Sequence, residues 1–363
     1  MVVDPVYVPF LPARRDAWQA YERLDARVRR RITPLWTVVP RTGPERPRGD
    51  RSAADTDEDP RTFGPWLTRR IDAVLDASSS SVGWADATHL EGLVQAAASG
   101  LWRLATQSRL RLVTGPERNH RLQRYTADLA LLSGRGLGIR VLLDEPPEGS
   151  RSAELLELVD RVRLPPSQLD LLLDLGPVTD TADAGKIALA ALDLLAGLLP
   201  WRTVVLAAGA FPRTIQPLAS GLSLVVPRHD WLVHHLVRSS RPEFRSPLLY
   251  GDYSAEHALS ANIPSVRRPG PPWGLMRYTA PDAFLVAPAL TRGPYRAERV
   301  RAVARGIAEA EVFRPGRSEG ERWLHACAYG SGSDGTGNAE TWIRVGHIQH
   351  MSFAVAQLTG GEA

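Results

Sequence analysis

From the N-terminus to about residue 210, short apolar runs alternate with amphipathic helical patterns, and little separates them. Several of the runs, among them "IRVLL", "LDLLLDL" and "TVVLAAG", are nearly continuous in Val, Leu and Ile. Such a strand has no polar face to offer water, so both its faces are covered, as in a parallel sheet packed under helices. In "RRDAWQAYERLDARVRR", Trp18, Tyr21, Leu24 and Val28 recur at three- and four-residue spacing, which is one face of a helix. Seven or more strands joined by helical crossovers predict an α/β fold of the (β/α)8 TIM-barrel-like kind, with modified C-terminal elements. An open doubly wound sheet is the alternative.

The spacing predicts strands at 6–10, 32–40 and 81–84, then in "RLRLVTG", "LGIRVLLDE", "SQLDLLLDLGPV" and "WRTVVLAAGAFP". After residue 210 the alternation is less tidy. "SPLLYGDYS" is placed to complete a barrel, and "DAFLVAPAL" adds a further apolar run. The terminal "TWIRVGHIQHMSFAVAQL" reads as a strand, a small-residue corner, and a strand or helix. Residues 41–64, polar and rich in Pro and Gly, read as a long surface loop. Residues 331–338, "SGSDGTGN", read as a second loop. The whole of 1–363 is taken as one barrel-like domain.

With 363 residues, 44% of them hydrophobic and 23% charged, the chain can bury a large core. Its one cysteine, Cys327, excludes an internal disulfide and any Cys-rich zinc or iron–sulfur site. The opening residues do not read as a signal peptide, and no stretch of about 18 uncharged apolar residues suggests a membrane span. A cytoplasmic setting fits these features. The formal charge is +4, carried almost wholly by scattered arginines. The densest basic run, "RVRRR" at 27–31, fits a solvated helix end better than a nucleic-acid patch. No phosphate loop, G-x-S-x-G elbow or H-E-x-x-H helix is present.

In a barrel, the C-terminal strand ends share one mouth. Asp86, Asp144, Asp174 and Asp252 fall where predicted strands end, and Arg14 follows the first strand. Gathered there, such carboxylates suit acid–base work or a divalent metal ion. Each also suits a turn or helix cap. "YGDY" at 250–253 fits both a turn and a binding-site rim, with Tyr250 and Tyr253 offering hydroxyls. His347 and His350 would share a face in a helix but not in a strand, and the strand reading weakens a shared metal. The candidate catalytic residues are therefore Asp144, Asp174, Asp252 and His347. The candidate substrate-binding residues are Arg14, Tyr250, Tyr253 and Arg277, with the arginines placed to steady a phosphate or carboxylate.

"YVPFLPARRDAW", "RITPLWTV", "YGDY" and "WIRVGHIQHMSFAVAQL" together resemble the "beta protein" family, named after a phage T4 protein and found widely in bacteria. Tyr7, Val8, Pro9, Phe10 and Leu11 match the family's opening, and Arg14, Arg15 and Asp16 occupy its polar positions. Gly346, His347 and His350 match its glycine and paired histidines only loosely, because "GHIQH" separates the two imidazoles. The resemblance implies no particular reaction; some relatives look like parts of phage or phage-defence systems. Two functions follow as expectations. One is a hydrolase or phosphodiesterase-like enzyme with an acidic mouth, acting on a small or phosphate-containing ligand. The other is a non-catalytic phage-related or defence-related protein that binds protein or nucleic acid.

Overall fold

A computed structural model describes residues 4–40, 60–78, 82–213, 224–245, 248–262, 272–330 and 335–361. Eight parallel strands close into a barrel: β1 (Tyr7–Pro12), β2 (Leu35–Thr37), β3 (Gly83–Asp86), β4 (Leu110–Thr114), β5 (Leu137–Leu142), β6 (Leu169–Pro177), β7 (Thr203–Gly209) and β9 (Leu248–Asp252). The predicted (β/α)8 architecture is thus the observed one. Closure is made by β9, which pairs with β7 on one side and with β1 on the other.

The strand skipped by the barrel is β8 (Leu224–Pro227). It joins β10 (Trp273–Thr279) and β11 (Ala283–Leu290) in a separate antiparallel sheet of order β10-β11-β8. Its side chains alternate in exposure where the barrel strands are almost wholly buried. One-sided cover is what an antiparallel layer gives a strand, and two-sided cover is what the barrel gives.

The barrel helices are α1 (Arg15–Glu22), α3 (Pro60–Ala77), α4 (Val94–Gln107), α5 (His120–Ser133), α6 (Gly149–Val162), α7 (Thr181–Leu194) and α8 (His229–Ser240), with a short α2 (Ala26–Arg29) ahead of β2. Asp25, Asn119 and Asp180 cap α2, α5 and α7 by accepting backbone N–H bonds. Three more helices follow: α9 (Arg296–Ala308), α10 (Glu319–Tyr329) and α11 (Ala339–Leu358). Residues 60–64, expected in the first long loop, open α3. The rest of that loop, and residues 331–334 of the second, lie outside the described residues. Among the described residues no helix is long and apolar enough to cross a membrane.

The terminal segment corrects the sequence reading. It is one 20-residue helix, α11, with no strand in it. Trp342 and Val345 join the core shared with the small sheet, α9 and α10, whereas Ile348, Met351, Ala354 and Val355 join the core around the barrel. A helix buried on two sides has no polar stripe, so its 3.6-residue period is invisible in the sequence. Gly346, read as a corner, lies inside the helix. A Cβ there would sit 2.3 Å from Arg277 Cγ, so this glycine lets the arginine cross α11.

Side chains alternate between the barrel lumen and the helices. Val8, Phe10, Leu35, Trp84, Val113, Leu172 and Val205 fill the lumen. At its N-terminal end the buried Asp170 accepts from Arg202 Nε at 2.7 Å, Arg111 Nη1 at 3.1 Å and Trp84 Nε1 at 2.9 Å. Asp170 is fully buried, while the side chains of Arg111 and Arg202 keep 21% and 25% exposure. Replacing it removes the shared acceptor but leaves both cations some water. Asp170→Ala should therefore destabilise the fold by roughly 3 kcal/mol, the lower end for a broken buried ion pair. Asp170→Asn should cost less, and urea unfolding at neutral pH measures both.

Candidate active site at the seam of the first and last barrel strands

The polar residues at the C-terminal end of the barrel form three groups. The first occupies the lumen mouth. Arg140 donates to Asp86 Oδ2 at 2.7 Å and to Asp174 Oδ2 from Nε at 2.9 Å and Nη2 at 2.5 Å. Arg118 donates to both Asp86 oxygens at 3.1 Å, and the Tyr253 hydroxyl lies 2.6 Å from both Asp174 oxygens. Phe10 packs edge-on to Tyr253, under the Arg140 guanidinium. Burial would raise the Asp86 carboxyl, but Arg118 and Arg140 outweigh it and hold it below the ordinary range. Burial and the Asp174 charge push Tyr253 far up, so its hydroxyl keeps its proton. Each carboxylate here already faces a guanidinium, and the group reads as a closed ionic plug.

The second group lies outside the lumen, between the seam strands β1 and β9 and helices α8 and α11. Tyr250 and Asp252 alternate with Gly251, so they point outward while Gly251 faces the lumen. A Cβ on Gly251 would press on Ala207 Cβ and Val205 Cγ1 at 3.0 Å, which explains the glycine of "YGDY". Asp252 accepts from the Tyr7 hydroxyl, from Tyr250 at 2.8 Å, from Ser254 N at 2.7 Å and from His350 Nε2 at 2.8 Å. The other nitrogen of His350 meets Thr279 Oγ1 at 2.9 Å. Tyr250 also reaches Asp230 Oδ2 at 2.6 Å, and Arg228 lies 3.4 Å from the same hydroxyl. Burial opposes ionisation of Asp252, yet His350, Tyr7 and Arg228 hold its carboxyl down to about 2.

The third group lies one helical turn away along α11. His347 shares its helix face with His350, as the three-residue spacing requires in a helix. Its Nδ1 is 2.8 Å from Ser254 Oγ, and its Nε2 is 3.6 Å from Glu256 Oε2. That second separation is too long for a hydrogen bond but close enough for ion pairing. Among the described residues Nε2 has no other partner, although the side chain is fully buried. Ser254 carries a φ of 53°, the left-handed region that a non-glycine residue adopts at a cost of about 1–2 kcal/mol. Asp252 holds this corner through the Ser254 amide. Asp16, Arg14 and Arg277 complete the group. Arg277 Nη1 donates to Ala255 O at 2.7 Å, and Arg14 donates to Ser260 O. Burial opposes the Glu256 charge, but His347, Arg277 and Arg14 hold that carboxyl down to about 2. Asp16 is raised, first by burial and then by Glu256.

The structure therefore does not gather the candidate carboxylates around one opening. Asp144 is exposed after β5. Asp174 points into the lumen and is held by Arg140 and Tyr253. Asp252 points the other way and is held by four donors. Tyr250 belongs with Asp252, and Tyr253 with Asp174. Of the eight candidates, His347, Arg14 and Arg277 fall in the third group. Ser254 and Glu256 carry no local signature, because "DYSAE" lacks the flanking glycines that mark a serine elbow. Arg140, Arg118 and Arg228 carry none either, and Asp230 reads from sequence as a structural or surface residue, since each needs a partner distant in sequence. Cys327 is buried in the small-sheet core, where burial raises its thiol to about 11. Among the described residues no group of three or more His, Cys, Asp or Glu has the arrangement of a metal site.

Asp252 and Glu256 contribute to the acid limb of stability. Each has a folded pKa of about 2, below its ordinary 3.8 or 4.5. The stability they supply is present above those ordinary values and is lost as pH falls toward 2. Asp16 and Asp230, both raised chiefly by burial, act in the opposite sense. Wild-type stability should fall between about pH 4.5 and 2. Asp252→Asn should be less stable at pH 7 and show a shallower fall over that window, as followed by urea titrations at stepped pH.

A search of curated proteins finds no match to this chain. The model of the Beta protein family matches residues 7–356, a span that includes β1, the "YGDY" corner and both histidines of α11. On that match over nearly its whole length, the chain belongs to the Beta protein family.

Proposed function

We propose that this protein is a hydrolase of esters that uses Ser254 as nucleophile, His347 as general base and Glu256 as the carboxylate that orients the imidazole. The observation that carries this reading is the contiguous line from Ser254 Oγ, 2.8 Å from one imidazole nitrogen, to Glu256, 3.6 Å from the other. Thr279, His350 and Asp252 form a comparable line in the second group, but that carboxylate is already taken by two tyrosines and the Ser254 amide. The third group pairs a serine hydroxyl with a base in hydrogen-bond reach and a carboxylate that orients it. A long base–carboxylate contact before substrate binds is ordinary and shortens as the imidazole gains charge. The left-handed Ser254, at the corner where a barrel strand ends, is the kind of strained residue that functional turns retain.

Each step is accounted for by residues on hand. The Ser254 oxygen attacks the acyl carbon or phosphorus, while its proton moves to His347 Nδ1. The ionised Glu256 stabilises the imidazolium. The bond to the leaving oxygen breaks as His347 returns the proton to it. Water, deprotonated by the same imidazole, then releases the second product and restores Ser254. Arg14 and Arg277 favour a substrate with a carboxylate or phosphate near the scissile bond. Ser254 is only 3% exposed, so substrate access requires local movement around this corner. Arg14 holds the turn downstream of it through the Ser260 carbonyl. Asp252 acts here as a positioning residue, through the Ser254 amide and His350.

An alkyl fluorophosphonate should label wild-type protein at Ser254, as located by peptide mass spectrometry. A panel of chromogenic carboxylic and phosphate esters should show turnover. Ser254→Ala should abolish both while its melting temperature stays within a few degrees. His347→Gln should lower turnover by about 10²–10⁴-fold. Labelling elsewhere, or full turnover by a folded Ser254→Ala variant, would rule out the assignment.

A further inference from the structure

A groove of about 890 Å³ runs along the C-terminal half of α11, and none of Ser254, His347 and Glu256 lines it. Its walls are the end of α1, the short α2 and the connection from α9 into α10. Its floor is the C-terminal half of α11, with Ile348, Phe353 and Ala356. Backbone bonds fix its place in the fold, since Arg31 O accepts from Val6 N beside the start of β1. This is the N-terminal face of the barrel, opposite the face that carries His347.

The lining holds six arginines against three carboxylates, a net excess of three positive charges. Elsewhere on the surface arginines meet acids directly: Arg241 meets Asp193, Arg151 meets Glu117 and Glu154, and Arg103 meets Asp72. In the groove, Glu319 is taken by Arg23 at 3.0 Å, Glu321 faces Arg314 at 3.8 Å, and Asp25 caps α2. Among the described residues no carboxylate pairs with Arg27, Arg31 or Arg322. Arg31 and Arg322 each donate once, to the carbonyls of Asp4 and Gly316. Arg27 and Arg31 on the α2 side and Arg322 on the α10 side thus keep donors free, and at the floor Arg314 covers the buried Phe353 ring at 3.9 Å.

Guanidinium forks match phosphate oxygens in shape and charge. A flat base suits the guanidinium face of Arg314 by stacking. We infer that this groove binds a ligand of nucleotide chemistry, with its phosphates on Arg27, Arg31 and Arg322 and its base stacked on the guanidinium of Arg314. The excess of three positive charges complements a nucleoside polyphosphate, and the open groove also admits the end of a single strand. The two sources share one recognition chemistry, and titration tells them apart. The "RVRRR" run, which the sequence places at a solvated helix end, supplies two of these arginines.

Calorimetric titration of the full chain with ATP, a short oligothymidylate and inorganic tripolyphosphate tests the inference. ATP or the oligonucleotide should bind, more tightly than tripolyphosphate, and more weakly as salt is raised. The double variant Arg27→Glu, Arg322→Glu replaces two exposed side chains and should melt as the wild type does. It should bind at least roughly 30-fold more weakly, as expected for two lost charge-assisted contacts. Binding of ATP alone would identify a free nucleotide as the source, and binding of the oligonucleotide alone a nucleic acid strand. Tripolyphosphate binding as tightly as either, no binding by any ligand, or unchanged binding by a folded double variant would each overturn the inference. Ser254→Ala should leave this binding intact, which separates the groove from the proposed hydrolytic site.

Discussion

The carboxylate of Asp252 ties together the parts of this protein that distance in sequence keeps separate. It takes donors from Tyr7 on β1, Tyr250 on β9, His350 on α11 and the amide of Ser254. β1 and β9 are the pair that closes the barrel, so the same residue marks where the ring is sealed and where the terminal helix is seated. A buried carboxylate with no partner is costly, and one with four donors is tolerated because the bonds replace its lost hydration. The low pKa of Asp252 and the burial of both tyrosines follow from that exchange. The position of His347 follows as well, because the His350–Asp252 contact seats α11 and His347 lies one turn before it.

Charge compensation also decides where chemistry is available. The lumen is capped by Asp170 with two arginines at one end, and by Asp86, Asp174 and two arginines at the other. Barrels usually present their reactive groups at the axis, at the C-terminal mouth. Here the axis is filled by ion pairs whose acceptors are in use. The polar atoms with capacity to spare lie off the axis, at the β1–β9 seam, where His347 Nε2 faces Glu256 without a hydrogen bond. That displacement depends on the added sheet and on α11, which bring Arg277 and His347 to the seam.

The barrel was legible because its strands are buried on both faces and its crossover helices are amphipathic, two patterns with different periods. The additions were harder to read. β8 resembles a barrel strand in composition, and only its pairing with β11 removes it from the ring. α11 was read largely as strand because burial on two sides erased its periodicity. The candidate site divided along the same line. Asp174 and Asp252 were found as strand-end acids, yet strand alternation sends them to opposite sides of the wall, and a one-residue difference in register would have reversed that. Ser254 and Glu256 sit beside "YGDY" with no flanking glycines to mark them, and their meaning depends on an imidazole some ninety residues further on.

The sequence by itself determined the elements of the barrel, their parallel order and the family to which the chain belongs, because local hydrophobic period and short motifs are properties of contiguous residues. Tertiary structure decided which acids are spent on arginines, which imidazole nitrogens stay without a hydrogen bond, and which arginines remain without a carboxylate. Those outcomes are set by distances between residues far apart in the chain, and electrostatic compensation acts through space.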